Sequence, residues 1–144
     1  MKKVKNIFQT GPIEPQFIAK SLEKHQSKTS IGAHQMFMGQ VRADKIEGQE
    51  VQAIEYTAYE EMANDKMYEI REEVFAQFPI TCMHIHHSLG KVKLGEICLF
   101  VFTSSPHRKA ASDACSILVE RIKNELPIWG NEILEDGTSW KVNS

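Results

Sequence analysis

No apolar stretch in this sequence is long enough to cross a bilayer: the longest run, Ile97 to Phe102, falls far short of the roughly 20 residues required. Cysteine is scarce. Cys82, Cys98 and Cys115 form an odd set without C-x-x-C spacing, which argues against a disulfide framework and against a zinc ribbon and points to buried free thiols. Neither sign of charge predominates, with 17 Lys and Arg against 19 Asp and Glu and a formal net charge of −2. Bulk electrostatic binding to nucleic acid is therefore not expected, and any anion site has to be a local cluster. Met1-Lys2-Lys3-Val4-Lys5 starts like a basic leader, but Asn6, Gln9, Thr10 and Glu14 stand where a secretory peptide needs apolar residues. The expectation is a soluble, cytoplasmic protein with no membrane partner. There is also no low-complexity tract and no repeat at a solenoid period.

What remains is 144 residues, 42% hydrophobic and 25% charged, the profile of one domain spanning 1–144. Val4 to Thr10 reads as a short strand, and Pro15 opens a short helix through His25. Ile31 to Val41 reads as a strand in which Gly32 and Gly39 mark a bulge or a close approach. Ala43 to Glu50 is charged and reads as a mobile loop before a strand at Val51 to Tyr59. From Glu60 the period becomes helical, with Ala63, Met67, Ile70, Val74 and Phe78 on one face, until Pro79. Strands at Thr81 to His87 and Glu96 to Ser104 follow, joined by a turn region at Gly90 to Gly95, and the second is apolar enough to be central. A long helix from Pro106 to about Glu125 carries the stripe Ala111, Ala114, Cys115, Leu118, Val119 and Ile122. Asp136-Gly137 predicts a closing hairpin before Trp140. Strand runs broken by two long helices indicate an α+β fold with an antiparallel sheet.

Ser104-Ser105-Pro106-His107-Arg108-Lys109 is the most informative stretch, since Ser105 suits an N-cap and Pro106 the first helical position. Basic residues there oppose the helix dipole unless an anion neutralises them, which makes a phosphate or carboxylate site one reading and a solvated helix start the other. Arg42 closes the glycine-bearing strand and either forks onto a phosphate or pairs with a surface carboxylate. Lys123, one turn after Val119, sits beside the apolar stripe, either as a desolvated proton carrier or as a snorkelling side chain. His84 and His86 share one face of a strand, but spacing offers no third ligand, so no metal site is expected.

Four stretches in order carry a family resemblance: Gly32-Ala33-His34-Gln35-Met36-Phe37-Met38-Gly39-Gln40-Val41-Arg42; Glu55-Tyr56 through Tyr59-x-x-Met62-Ala63; Ser104-Ser105-Pro106-His107-Arg108; and Lys123-x-x-x-Pro127-Ile128-Trp129. Together they resemble the catalytic (large) subunit of molybdopterin synthase. The resemblance implies an α/β hammerhead fold with two long helices and a C-terminal hairpin. It also implies a homodimer, with a small ubiquitin-like sulfur-carrier subunit docked at each end of a heterotetramer. In that family the carrier's C-terminal thiocarboxylate delivers sulfur to cyclic pyranopterin monophosphate in two rounds, making the dithiolene of molybdopterin for molybdenum cofactor biosynthesis. Neither a metal nor another cofactor takes part. By the same resemblance Arg42, His107 and Arg108 line the substrate's anionic pocket, partly across the dimer interface, and Lys123 is the catalytic lysine.

This sequence departs from the family at two positions. Gly130 follows Trp129 where a second active-site lysine is usual, and Ser88 follows His87 where an arginine is usual. Lys141 and Lys91 are the candidates to substitute for the lost charge. Two functions stay open: a sulfurtransferase, and a catalytically weakened dimeric binding partner of the carrier. A metal enzyme built on His84 and His86 ranks below both.

Overall fold

The computed structural model describes residues 3–143, with side chains through residue 139. The chain runs β1 (Phe8–Thr10), α1 (Pro15–His25), β2 (Ala33–Gln40), β3 (Lys45–Ile46), β4 (Gln49–Ala58), α2 (Glu60–Gln77), β5 (Cys82–Lys93), β6 (Ile97–Ser105), α3 (Arg108–Glu125), β7 (Ile128–Leu134) and β8 (Ser139–Asn143). The strands form one sheet in the order β2-β6-β5-β4-β7-β8, antiparallel along this path, with β1 parallel to β5 and β3 paired to β4. This is the expected α+β architecture, with its two long helices and closing hairpin.

Alternation along β6 sorts the core into two layers. Leu99 and Val101 point to the side of α2 and α3, where they join Met67, Ile70, Val74, Met83, Ala114, Cys115 and Leu118. Phe100 and Phe102 point the other way, onto a smaller cluster with Ile13, Ile18 and Met36 beneath α1. Both faces of β6 are therefore covered, and every residue from Cys98 to Ser105 is buried, as its apolar run predicts.

The structure differs from the sequence reading in several places, and β1 starts at Phe8 rather than Val4. The charged segment taken as a mobile loop is a hairpin, because Glu47 and Gly48 both adopt positive φ (51° and 81°) and make the two-residue turn that lets β3 pair with β4. Strand β5 does not end at His87. It bends at Gly90, whose φ of 81° suits glycine, leaving β6 after His87 and taking up β4 from Gly90 to Lys93. Helix α3 starts at Arg108 rather than Pro106, with His107 as an extended N-cap residue whose side chain makes no capping bond. Ser105 still serves the helix start: its hydroxyl accepts the Ala111 N–H at 3.1 Å and donates to the His107 carbonyl.

Candidate active site

Helix α3 carries candidate residues at both of its ends. At the first, His107, Arg108 and Lys109 are exposed and line an open groove with Gly32, Gln35 and Asp113. No acidic residue stands in the first turn, and Lys109 pairs with Asp113 at 3.1 Å one turn on. The groove floor is tight because the Gly32 N–H donates to the Ser105 carbonyl at 3.0 Å, and a Cβ at position 32 would lie 2.2 Å from the Pro106 oxygen. That contact is the close approach that Gly32 signals in the sequence. The groove combines the positive end of a helix dipole with the Arg108 and Lys109 cations beside His107, a set suited to a phosphate or carboxylate.

Lys123 occupies the other end, about 22 Å along the helix from Arg108 at 1.5 Å per residue. Within one chain it is exposed, which fits the snorkelling alternative for it and not the desolvated one. Its charge acts on His87, whose imidazole is buried and donates from Nδ1 to the Ser88 carbonyl at 2.8 Å. Burial drives the His87 pKa down to about 4, the Ser88 carbonyl opposes this, and Lys123 adds a smaller push downward. Tyr56 stands edge-on to the same ring, with centroids 5.1 Å apart, and pairs with Gly130 across β4 and β7. His87, with Tyr56 against its ring, is the group near Lys123 that spacing does not disclose, since it comes from another strand.

The two family departures have physical consequences here. A Cβ on Gly130 would lie 2.7 Å from Ile54 Cγ2 and 3.3 Å from Tyr56 Cε1, so these side chains occupy the space where a residue at 130 would project. Ser88 is fully buried, and among the described residues its hydroxyl has no hydrogen-bond partner. Of the substitutes, Lys91 is exposed on β5, while the Lys141 side chain, like that of Trp140, lies outside the described residues.

Arg42 lies past the far end of β2 from Gly32, roughly 30 Å away for ten extended residues. Its fork is held by Asp44 at 2.7 and 3.1 Å while the side chain stays 82% exposed, the ion-pair alternative noted for it. Helix α3 turns back over β6 and β2, so Lys123 and Arg42 lie toward one end of the sheet and His107 and Arg108 toward the other. One chain thus does not unite the four predicted residues.

On the α1 face of the sheet, His84 and His86 share one side as expected, and the structure adds His25 beside His84. His86 packs against Phe17 and Phe100, whereas His84 Nε2 lies 2.9 Å from Nε2 of His25, near Cys82. Burial lowers the His84 pKa to about 4, with a smaller electrostatic contribution from the neighbouring His25.

The family model for the MoaE protein matches residues 8–125. The chain is 39% identical over 120 residues to the molybdopterin synthase catalytic subunit of Staphylococcus carnosus, covering 83% of this chain and 76% of that one. It is 38% identical over 129 residues to the Bacillus subtilis protein of the same name, covering 90% and 79%. Among solved structures, the X-ray structure of molybdopterin synthase from Staphylococcus aureus superposes with a TM-score of 0.81 at 32% identity, covering 100% of this chain and 99% of that one. A Helicobacter pylori complex of subunits 1 and 2 of molybdopterin-converting factor shares the fold, with a TM-score of 0.77 at 19% identity over 95% and 88%. The motifs, the hammerhead sheet and these matches agree, and the chain belongs to the MoaE family of molybdopterin synthase catalytic subunits.

Proposed function

We propose that this chain transfers sulfur from the thiocarboxylated C-terminus of a small ubiquitin-like carrier to cyclic pyranopterin monophosphate, at a site assembled from two copies of itself. The observation that carries this reading is the division of the basic residues. His107 and Arg108 stand at one end of α3, while Lys123 stands at the other with Arg42 toward its end of the sheet. A second copy set against the first brings the His107–Arg108 groove of one to the Lys123 end of the other. The curated relatives are named as catalytic subunits of this synthase, and the Helicobacter pylori structure is a complex of two subunits, which supports a carrier partner.

In this scheme Arg42, His107 and Arg108 hold the phosphate and pterin oxygens. The carrier's sulfur attacks a substrate carbon, Lys123 moves a proton at the oxygen that leaves it, and water then cleaves the acyl–sulfur bond. Sulfur stays on the pterin and the carrier ends as a carboxylate. Positioning dominates, because a tethered tail supplies the nucleophile at high effective concentration. Asp44 must release Arg42 for this, an exchange of one carboxylate partner for a substrate anion.

The closed space at Gly130 favours one second reading, a dimeric partner that binds the carrier with little turnover. Purified chain mixed with thiocarboxylated carrier and cyclic pyranopterin monophosphate decides between them. Dithiolene product that vanishes in Lys123→Ala supports the transferase. A stable complex without product overturns it in favour of the binding partner.

A further inference from the structure

His25, Cys82 and His84 come from two elements far apart in sequence, the last turn of α1 and the start of β5. Their donor atoms, two imidazole nitrogens and one sulfur, all lie within 4.8 Å of one another. His25 and Cys82 are buried and His84 is half-buried, so the cluster is not a chance meeting of surface side chains. Nothing in sulfur transfer uses it. We propose that these three residues form a binding site for one borderline-soft d10 cation, zinc or cuprous ion, that clamps α1 to the sheet.

The hydrogen bonding already orients the donors. His25 Nδ1 lies 2.7 Å from the Ser21 carbonyl, which can only accept, so Nδ1 carries the proton and the Nε2 lone pair points at His84. A backbone carbonyl behind the distal nitrogen is the usual support of a metal-bound histidine. His84 at present donates its Nε2–H to His25 at 2.9 Å. Moving that proton to His84 Nδ1 leaves two lone pairs facing one point, and the cation takes the place of the shared hydrogen. Two nitrogens on tetrahedral zinc stand about 3.3 Å apart, so the rings separate by only a few tenths of an ångström. Cys82 loses its thiol proton to solvent as the metal binds, and the Lys28 ammonium, 3.0 Å from the sulfur, gives up that contact to the ion. One proton leaves per ion bound. The fourth position remains for water or an outside ligand. His34 stays out of the set, its Nδ1 held 2.7 Å from the Ser104 hydroxyl.

Helix α1 gives the site a purpose. It rests on the sheet through Phe17, Ile18 and His25, over the smaller of the two core layers. A metal joining its last turn to β5 strengthens that attachment, and binding only to the folded chain raises the melting temperature.

Cobalt(II) and zinc titrations of the untagged, metal-free full chain test the proposal. Expected are one equivalent bound, a sulfur-to-cobalt charge-transfer band in the near ultraviolet, tetrahedral visible bands, and displacement by zinc. At zinc a hundredfold above its Kd, the melting temperature rises by roughly 5–10 °C. Cys82→Ser removes the charge-transfer band, His84→Gln and His25→Gln abolish stoichiometric binding, and His86→Gln leaves it intact. Alkylation mapped by mass spectrometry needs no variant: zinc slows labelling of Cys82 and leaves Cys98 and Cys115 unchanged. Absence of binding at micromolar metal, a cobalt spectrum without the thiolate band, or zinc that fails to protect Cys82 overturns the site.

Discussion

The two ends of α3 differ in what surrounds them. At the first, His107, Arg108 and Lys109 stand exposed in an open groove over a glycine-tight floor. At the second, Lys123 is equally exposed but acts on a buried, neutral His87 with the Tyr56 ring against it. In the proposed reaction the first end holds the substrate's anion and the second handles a proton beside a low-dielectric wall. The contrast teaches that a charged residue's chemistry is set less by its own identity than by the strand that lies beneath it.

Division of labour between the ends is broken most severely by Lys123→Ala, expected to lower dithiolene formation by about 100-fold or more while carrier binding persists. If each site draws on two chains, mixing Lys123→Ala with Arg108→Ala and allowing subunits to exchange restores about a quarter of wild-type activity, since half the dimers then carry one intact site. No recovery places the whole site within one chain. Arg108→Ala alone raises KM for the pterin roughly 10- to 100-fold, the worth of a charge-assisted bond, with a smaller change in kcat.

A pH titration of stability, compared with and without His87, reports on the second end. His87 is neutral when folded, with a pKa near 4, and near 6.5 when unfolded, so below 6.5 the unfolded chain binds the extra proton. Stability is complete above pH 6.5 and falls as pH drops toward 4, by up to about 1.4 kcal/mol per pH unit from this residue. His87→Phe flattens that part of the curve measured by denaturant unfolding.

Gly130→Lys sharpens the comparison by returning charge to the Lys123 end. The built-in contact with Ile54 makes it destabilising by about 1–3 kcal/mol in urea, and pairing it with Ile54→Ala relieves the contact. Ser88→Ala is the mildest change, expected to raise stability by about 1 kcal/mol because it removes a buried hydroxyl that has no partner among the described residues.

Much of the fold is legible in local pattern. Residues from Cys98 to Ser105 announce a central strand, Ala63 to Val74 a helix, and Pro15 and Pro127 the limits of helices, because each signal is carried by neighbours in sequence. The errors arise where the backbone is decided elsewhere. Nothing near Gly90 reveals that β5 exchanges β6 for β4, and Glu47 takes a positive φ only because two strands meet there. Helix α3 starts two residues later than Pro106 predicts, since Ser105 caps from outside the helix, through Ala111.

For the site, the sequence by itself determined which side chains are present: Arg42, His107, Arg108 and Lys123 in their motifs, and a glycine and a serine where the family usually carries cations. Only the tertiary structure decided their company. It put Lys123 over His87, filled the space beside Gly130 with Ile54, drew His25 to His84 and Cys82, and set the basic residues at opposite ends of one helix. The physical reason is range. Propensity and periodicity act over a few residues, whereas these encounters depend on strand register and helix placement, which form only when the whole core closes.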